Sequence, residues 1–277
     1  IDYFLWQYFH TPMKTVVIGA FLKERLIGSL GLQCRSLNNG LAGWQAVDVI
    51  VDEVYRKQGV FTSLAKFAFD HYSDEMDFGF ILPNEAGRIA VERSLGWKNV
   101  DLIKTLSLDQ KQDDFPLISR AEFIDDLCSM SMENKKIADN RVYFLRDKDC
   151  MRWRFGKNPE YNYFVIKIKD SFSVGKIFTD PDSGRRFGDI VDYGCVDSVD
   201  LMTEVFYATI LYFQERGINN ITTWAFPETS VYSILRNVGF IESMQTRFFC
   251  LKAFKSELHY LYDLSNWLLV EADSEVY

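Results

Sequence analysis

Val51-Asp52-Glu53-Val54-Tyr55-Arg56-Lys57-Gln58-Gly59-Val60-Phe61 is the stretch on which the fold turns. An apolar run from Val47 to Val51, with Asp48 inside it, leads into it, and Phe61, Leu64, Ala65, Ala68 and Tyr72 follow at helical spacing. The pattern reads as strand, basic glycine turn, helix. A helix start gathers unpaired amide hydrogens whose partial positive charge favours an anion. Arg56 and Lys57 add formal charge, and Gly59 removes the side chain that would hold a ligand off the backbone. The expected occupant is a pyrophosphate-type anion. Basic residues ahead of a glycine also occur in purely structural loops, so the surroundings have to carry the argument.

Upstream, Thr15–Leu22 and Leu26–Gln33 read as strands joined by a hairpin at Lys23-Glu24-Arg25, and Asn38-Asn39-Gly40 as a loop. Downstream come a strand over Met76–Leu82, a break at Pro83-Asn84, a helix from Glu85 to Ser94 ending near Gly96-Trp97, and a closing strand from Asp101 to Leu108. The polar run from Asp109 to Phe115, followed by Pro116, marks a boundary. Two domains are expected, 1–108 and 109–277.

The second part of the chain repeats the first. Trp6, Pro12 and Gly28 recur as Trp153, Pro159 and Gly175 at one offset. Leu5-Trp6-Gln7-Tyr8 aligns with Arg152-Trp153-Arg154-Phe155, and Val16-Val17-Ile18 with Tyr163-Phe164-Val165. Ile81-Leu82-Pro83 aligns with Ala225-Phe226-Pro227, and Leu95-Gly96-Trp97 with Val238-Gly239-Phe240. The second copy lacks the basic turn. It has Gly194-Cys195-Val196-Asp197-Ser198-Val199-Asp200, whose aspartates would repel an anion. Residues 119–149 read as a polar helix with Phe123, Leu127 and Met130 on one face. If that segment opens the second copy, the first copy should have an equivalent ahead of Ile1, so upstream residues are expected to be missing.

Among 277 residues, 48% are hydrophobic, as expected for a chain with a substantial core. The net charge of −8 argues against a general nucleic-acid binder. Cys34, Cys128, Cys150, Cys195 and Cys250 are odd in number and include no CxxC pair, so free thiols in a reducing, cytoplasmic setting are expected, with no metal site. His10, His71 and His259 are scattered. No apolar run is long enough to cross a bilayer, so no membrane insertion is expected.

Taken together, these features resemble the GNAT superfamily, the Gcn5-related N-acetyltransferases. Its acetyl-CoA signature is Arg/Gln-x-x-Gly-x-Gly/Ala between a splayed strand and a helix; Arg56-Lys57-Gln58-Gly59-Val60-Phe61 matches except at Phe61, where the family has a small residue. Leu95-Gly96-Trp97 is similar to the Gly-Phe that ends a later family helix, and the repeat resembles tandem GNAT proteins of polysaccharide or amino-sugar gene clusters. The resemblance implies an α+β, three-layer fold of tandem domains, each a mixed, mostly antiparallel twisted sheet flanked by helices. It implies acetyl-CoA as co-substrate and no metal. The cofactor contacts would come from Ile50, Val51, Arg56, Lys57, Gln58, Gly59, Val60, Phe61, Thr62 and Asn84, with a bulge around Ile50–Val51 and an oxyanion donor near Val51.

The implied reaction is direct attack of a small amine on the thioester, with an amino sugar or sugar nucleotide as favoured acceptor; a homodimer is left open. Asp48 or Glu53 would take the ammonium proton. Asp48 is preferred, because a carboxylate inside an apolar strand is unusual, although it could equally be a hydrogen-bonded structural residue. The family's Tyr general acid would fall near Glu92, and no Tyr stands there. Two other functions fit the resemblance: a tandem aminoacyltransferase of the peptidoglycan type using aminoacyl-tRNA, against which the acidic charge speaks, and a non-catalytic CoA-binding regulator.

Overall fold

The computed structural model describes residues 1–109, 120–127, 141–194, 198–227 and 229–274. The chain opens with α1 (Asp2–Tyr8), a helix that the sequence reading left unassigned. β1 (Thr15–Leu22) and β2 (Arg25–Ser36) form the expected hairpin, and β3 (Ala42–Val51) runs through a 3-10 turn at Glu53–Tyr55 into α2 (Val60–His71). β4 (Phe78–Ile81), α3 (Glu85–Leu95) and β5 (Lys98–Leu108) complete the first half.

The second half repeats this order. After β6 (Glu122–Ile124) comes α4 (Lys148–Met151), which widens into a π-helix at Arg152–Gly156. β7 (Tyr163–Ile168), β8 (Ser171–Thr179), β9 (Arg186–Gly194), α5 (Val199–Glu215), β10 (Ile221–Trp224), α6 (Ser230–Val238) and β11 (Ile241–Ala253) then follow. Short 3-10 turns at Ser256–Tyr262, Leu264–Asn266 and Glu271–Asp273 end the described chain.

Phe123 corrects the helix expected over 119–149. It lies in β6, which pairs with β7 through Phe123↔Ile166, and its ring stacks on Tyr212 of α5 at 4.7 Å. The exposed edge of β7 supplies a backbone ladder that outweighs the local helical spacing. Met130 and the boundary residues 110–116 lie outside the described residues.

The eleven strands among the described residues join one sheet, in the order β1-β2-β3-β4-β11-β5-β10-β9-β8-β7-β6. The β3·β4 and β9·β10 pairs are parallel and the others antiparallel. The two closing strands are exchanged: β11 pairs with β4, and β5 with β10. The division at 108/109 therefore divides the chain by order while the sheet runs across it. Gly96 and Gly239, at φ 66° and 112°, cap α3 and α6 in the left-handed region and turn the chain back for these strands.

The repeat is visible at the centre of the molecule. Trp6 and Trp153 stack at 4.7 Å, and each indole N–H donates to the other's carbonyl oxygen at 2.8 Å. Two register details depart from the sequence alignment. Phe164, rather than Tyr163, packs on α5 as Val16 packs on the α2 side. Gly28 pairs with Val51 beyond the bulge of β3, while Gly175 pairs with Ile190 ahead of that of β9, so these two glycines are not counterparts.

Leu64, Ala65, Ala68 and Phe69 of α2 and Val91 of α3 bury one face of the first half against Leu30, Leu32, Trp44 and Ala46. α5 and α6 cover the same face of the second half. On the opposite face, Phe144, Leu258, Leu261 and Trp267 close over Phe78, Phe80 and Phe249. Asp273 ties the halves together there. It accepts from Arg35 of β2 at 3.1 Å and from Arg146 at 2.7 Å.

Candidate functional site

β3 pairs with β4 only through Gly43↔Phe78, Trp44↔Gly79 and Gln45↔Phe80, then continues alone to Val51. Among the described residues, that edge of β3 has no partner strand past Gln45, so the two strands part ahead of the turn into α2. On its other edge, β3 carries a bulge. Gly31 pairs with Val47 and Ser29 with Ile50, leaving Asp48 and Val49 opposite Leu30. Asp48 takes φ 47°, a strained backbone for any residue with a side chain. The bulge thus lies at Asp48–Val49, slightly ahead of the expected Ile50–Val51. The alternating strand pattern could not reveal it, because the extra residue keeps both flanking runs apolar.

The basic turn follows. Arg56 Nε donates to the Val51 carbonyl at 3.2 Å and Gln58 Nε2 to that of Val54 at 2.8 Å, folding the loop onto itself. Lys57 and Gly59 take φ 60° and 83°, so successive amides turn to one side. α2 begins on Gly59 with no side-chain cap. Among the described residues, the amides from Lys57 to Thr62 donate to no protein acceptor, and Ser63 is the first to bond, to the Gly59 carbonyl at 2.9 Å. A Cβ on Gly59 would meet nothing within 4 Å, so the approach is open.

The corresponding helix of the second half differs. Ser198 caps α5 by accepting from the Leu201 amide at 3.2 Å. Residues 195–197 lie outside the described residues.

The structure brings Asp48 to a partner that sequence reasoning missed. Tyr8 of α1 donates its hydroxyl to Asp48 Oδ2 at 2.6 Å. Gly31 makes the room, since a Cβ there would stand 2.2 Å from the Tyr8 hydroxyl. The one available signal was the position of Tyr8 two residues after the repeated Trp6.

Other expected residues do not join this group. Glu53 is exposed in the 3-10 turn; its neighbour Asp52 is the engaged carboxylate, held below the usual range by the Val54 amide and Arg25. Asn84 caps α3 by accepting from the Gly87 amide at 2.9 Å, a helix-starting role. Glu92 is ion-paired with Arg88, which also reaches Glu85 at 2.6 Å and lies over the Phe248 ring. Burial, reinforced by Glu92, pushes the nearby Cys250 thiol up to about 12. Ile50 points its side chain outward from β3, 60% exposed, and the Val51 carbonyl is taken by Arg56. Phe61 is half-buried against the first-half core, which is how a large residue fits the place of a small one.

An aspartate also stands at the bulge of β9, where Val191 is the extra residue between Ile190 and Asp192. This one is fully buried. Arg146 Nε lies 3.2 Å from its Oδ2, and burial still pushes its carboxyl up to about 6.

No protein-family model matches the chain, and no curated protein does. Solved structures do resemble it. A GCN5-related N-acetyltransferase from Anabaena variabilis superposes with a TM-score of 0.57 at 10% identity, over 86% of this chain and 63% of that one. Eis1 from Mycobacterium abscessus gives 0.60 at 13% identity, over 89% and 67%. A tandem GNAT protein from the clavulanic acid biosynthesis pathway gives 0.57 at 12%, over 88% and 84%. This chain thus spans less than two thirds of the Anabaena protein. At such identities the likeness speaks for architecture alone: the chain has a tandem GNAT-like fold.

Proposed function

We propose that the first half carries out acyl transfer from acetyl-CoA to a primary amine. The observation that carries this reading is the contrast between two helix starts: α2 opens on a glycine with its amides unclaimed and cations beside it, while α5 is closed by Ser198. Acetyl-CoA would supply an activated acyl thioester. Its diphosphate suits the Lys57–Thr62 amides and the Lys57 ammonium, and its extended arm suits the unpaired edge of β3 past Gln45. Asp48 is the base in this reading. It would take the proton from the acceptor ammonium, while the Tyr8 hydroxyl fixes the orientation of its carboxylate.

A second reading, CoA binding without turnover, is favoured by one observation. Glu92 stands where the family places its proton donor and is engaged with Arg88. Thiol release from acetyl-CoA with a panel of amines separates the two, since turnover with any amine excludes the second.

The central test is a melting experiment with CoA and acetyl-CoA, because a ligand that binds only the folded state raises its apparent stability. Both should shift the melt upward. Gly59→Glu should abolish the shift, weakening binding about 100-fold or more, roughly 3 kcal/mol. Gly59→Ala, strained at the same φ but uncharged, should retain most of it. No shift in the wild-type protein would refute the reading.

A further inference from the structure

The face of the first half that carries Asp48 also limits what the acceptor can be. Gly31 faces Tyr8, and residues paired directly across a sheet share a face. Gly31 pairs with Val17, and its face-mate Ser29 pairs with Gly19 and Ile50, so these all lie on the Asp48 side. A Cβ on Gly19 would strike the side chains of Phe21 and Leu26, which therefore lie over the same face. Phe4 of α1 stands 5.0 Å from the Tyr8 ring and 5.9 Å from that of Phe9.

These side chains are open to solvent: Phe9 69%, Phe21 64%, Ile50 60% and Leu26 52%. The cations on these strands are few. Arg35 is buried on Asp273, and Lys23 and Arg25 sit at the hairpin tip, where Arg25 bridges Asp52 at 2.8 Å. In the second half the matching face is closed by Phe155, Arg146 and Asp273, with Asp192 sealed beneath.

Resting on the acyl-transfer reading, we infer that the acceptor is a primary amine with an apolar body. Its ammonium would meet Asp48, and its hydrocarbon would cover the Phe4, Val17, Phe21 and Leu26 side chains. Such an acceptor brings a positive charge to the Asp48 carboxylate and removes apolar surface from water. A sugar nucleotide, favoured by the resemblance, would bring a hydrated sugar and a diphosphate to a face made mainly of apolar side chains, where the described residues of β1, β2 and β3 offer no unengaged cation beyond the hairpin tip.

The test measures thiol release from acetyl-CoA by the full chain with octylamine, phenethylamine, glucosamine and a uridine-diphosphate amino sugar. The apolar amines should exceed both sugars by at least ~10-fold in kcat/KM. Phe21→Asp and Leu26→Asp change exposed residues and should leave the CoA melting shift intact while raising KM for octylamine about 10-fold. Preference for either sugar, or an unchanged KM in both variants, would overturn the inference and leave acyl transfer standing. Loss of a wild-type dimer in these variants, without a change in KM, would assign the patch to self-association and also overturn it. Failure of the wild-type protein to bind acetyl-CoA would remove both proposals together.

Discussion

Each half of the molecule carries an aspartate at a strand bulge, and the two have opposite surroundings. Asp48 is half-buried, accepts a hydrogen bond from the Tyr8 hydroxyl, and lies on a face with exposed apolar side chains. Asp192 is fully buried, ion-paired with Arg146 and covered by the segment that ends in Asp273. The helix that follows differs in the same sense, open at Gly59 and capped at Ser198. The repeated order of elements supplies two similar frames. What separates a usable carboxylate from a structural one is the company it keeps. A buried charge is tolerated when paired, and a paired, covered charge is no longer available to a ligand.

The largest effects should come from the contact the halves share. Trp6→Ala and Trp153→Ala each remove a stacked, buried indole and orphan the other chain segment's carbonyl, and each should cost about 3–5 kcal/mol. Because each indole bonds to the other residue, the double variant should fall well short of the sum of the singles, with a coupling of at least about 1 kcal/mol in urea denaturation. Additive losses would mean that the two tryptophans do not act as a joint.

The next effect separates the two aspartates by pH. The Asp192 carboxyl is raised to about 6 in the folded protein, above its ordinary value of 3.8. A raised carboxyl keeps its proton longer when folded, so its stabilising contribution is full below about pH 3.8 and is lost as pH rises through about 6. A shift of that size corresponds to roughly 3 kcal/mol. Asp192→Asn cannot titrate, so wild-type stability relative to this variant should fall by about that order between pH 4 and pH 7. A constant difference across that range would show that Arg146 holds Asp192 ionised throughout.

Much of this frame is legible along the chain because it rests on local patterns. The β1–β2 hairpin, the turn at Arg56–Gly59 and the glycine caps at Gly96 and Gly239 are written in neighbouring residues. The contacts that give the frame its chemistry are not local. Tyr8 reaches Asp48 across 40 positions, and its place two residues after the repeated Trp6 says nothing of the partner it meets. The exchange of β5 and β11 is invisible for the same reason. Both closing strands have the same alternating character, and only the assembled sheet decides which neighbour each one takes. Asn84 and Glu92 stand out only by analogy of position, and the chain order alone does not show their local bonds to Gly87 and Arg88.

Tyr8 offers a sharper probe of the first half. Tyr8→Phe keeps the ring and removes a hydrogen bond to a carboxylate, a contact worth about 1.5–3 kcal/mol where the acceptor is charged. In the proposed reaction kcat should drop about 10-fold while KM for acetyl-CoA stays level, because the Asp48 carboxylate loses the hydroxyl that orients it. A loss of stability with an unchanged kcat would make Tyr8 a packing residue.

The smallest effect tests whether the second half lacks an anion seat merely because of its cap. Ser198→Ala should cost about 1 kcal/mol of stability and Ser198→Gly a few tenths, since glycine tolerates the cap position without the side-chain bond. Ser198→Gly would also recreate a glycine-started helix like that of Gly59. Titration calorimetry should nonetheless find one CoA per chain in this variant, as in the wild-type protein. In sequence, Asp197 and Asp200 stand where the first half has Arg56 and Lys57, and freed amides in an acidic stretch make a poor seat for a diphosphate. A second equivalent of CoA bound by Ser198→Gly would show that one hydroxyl keeps the halves apart and that the charge difference is secondary.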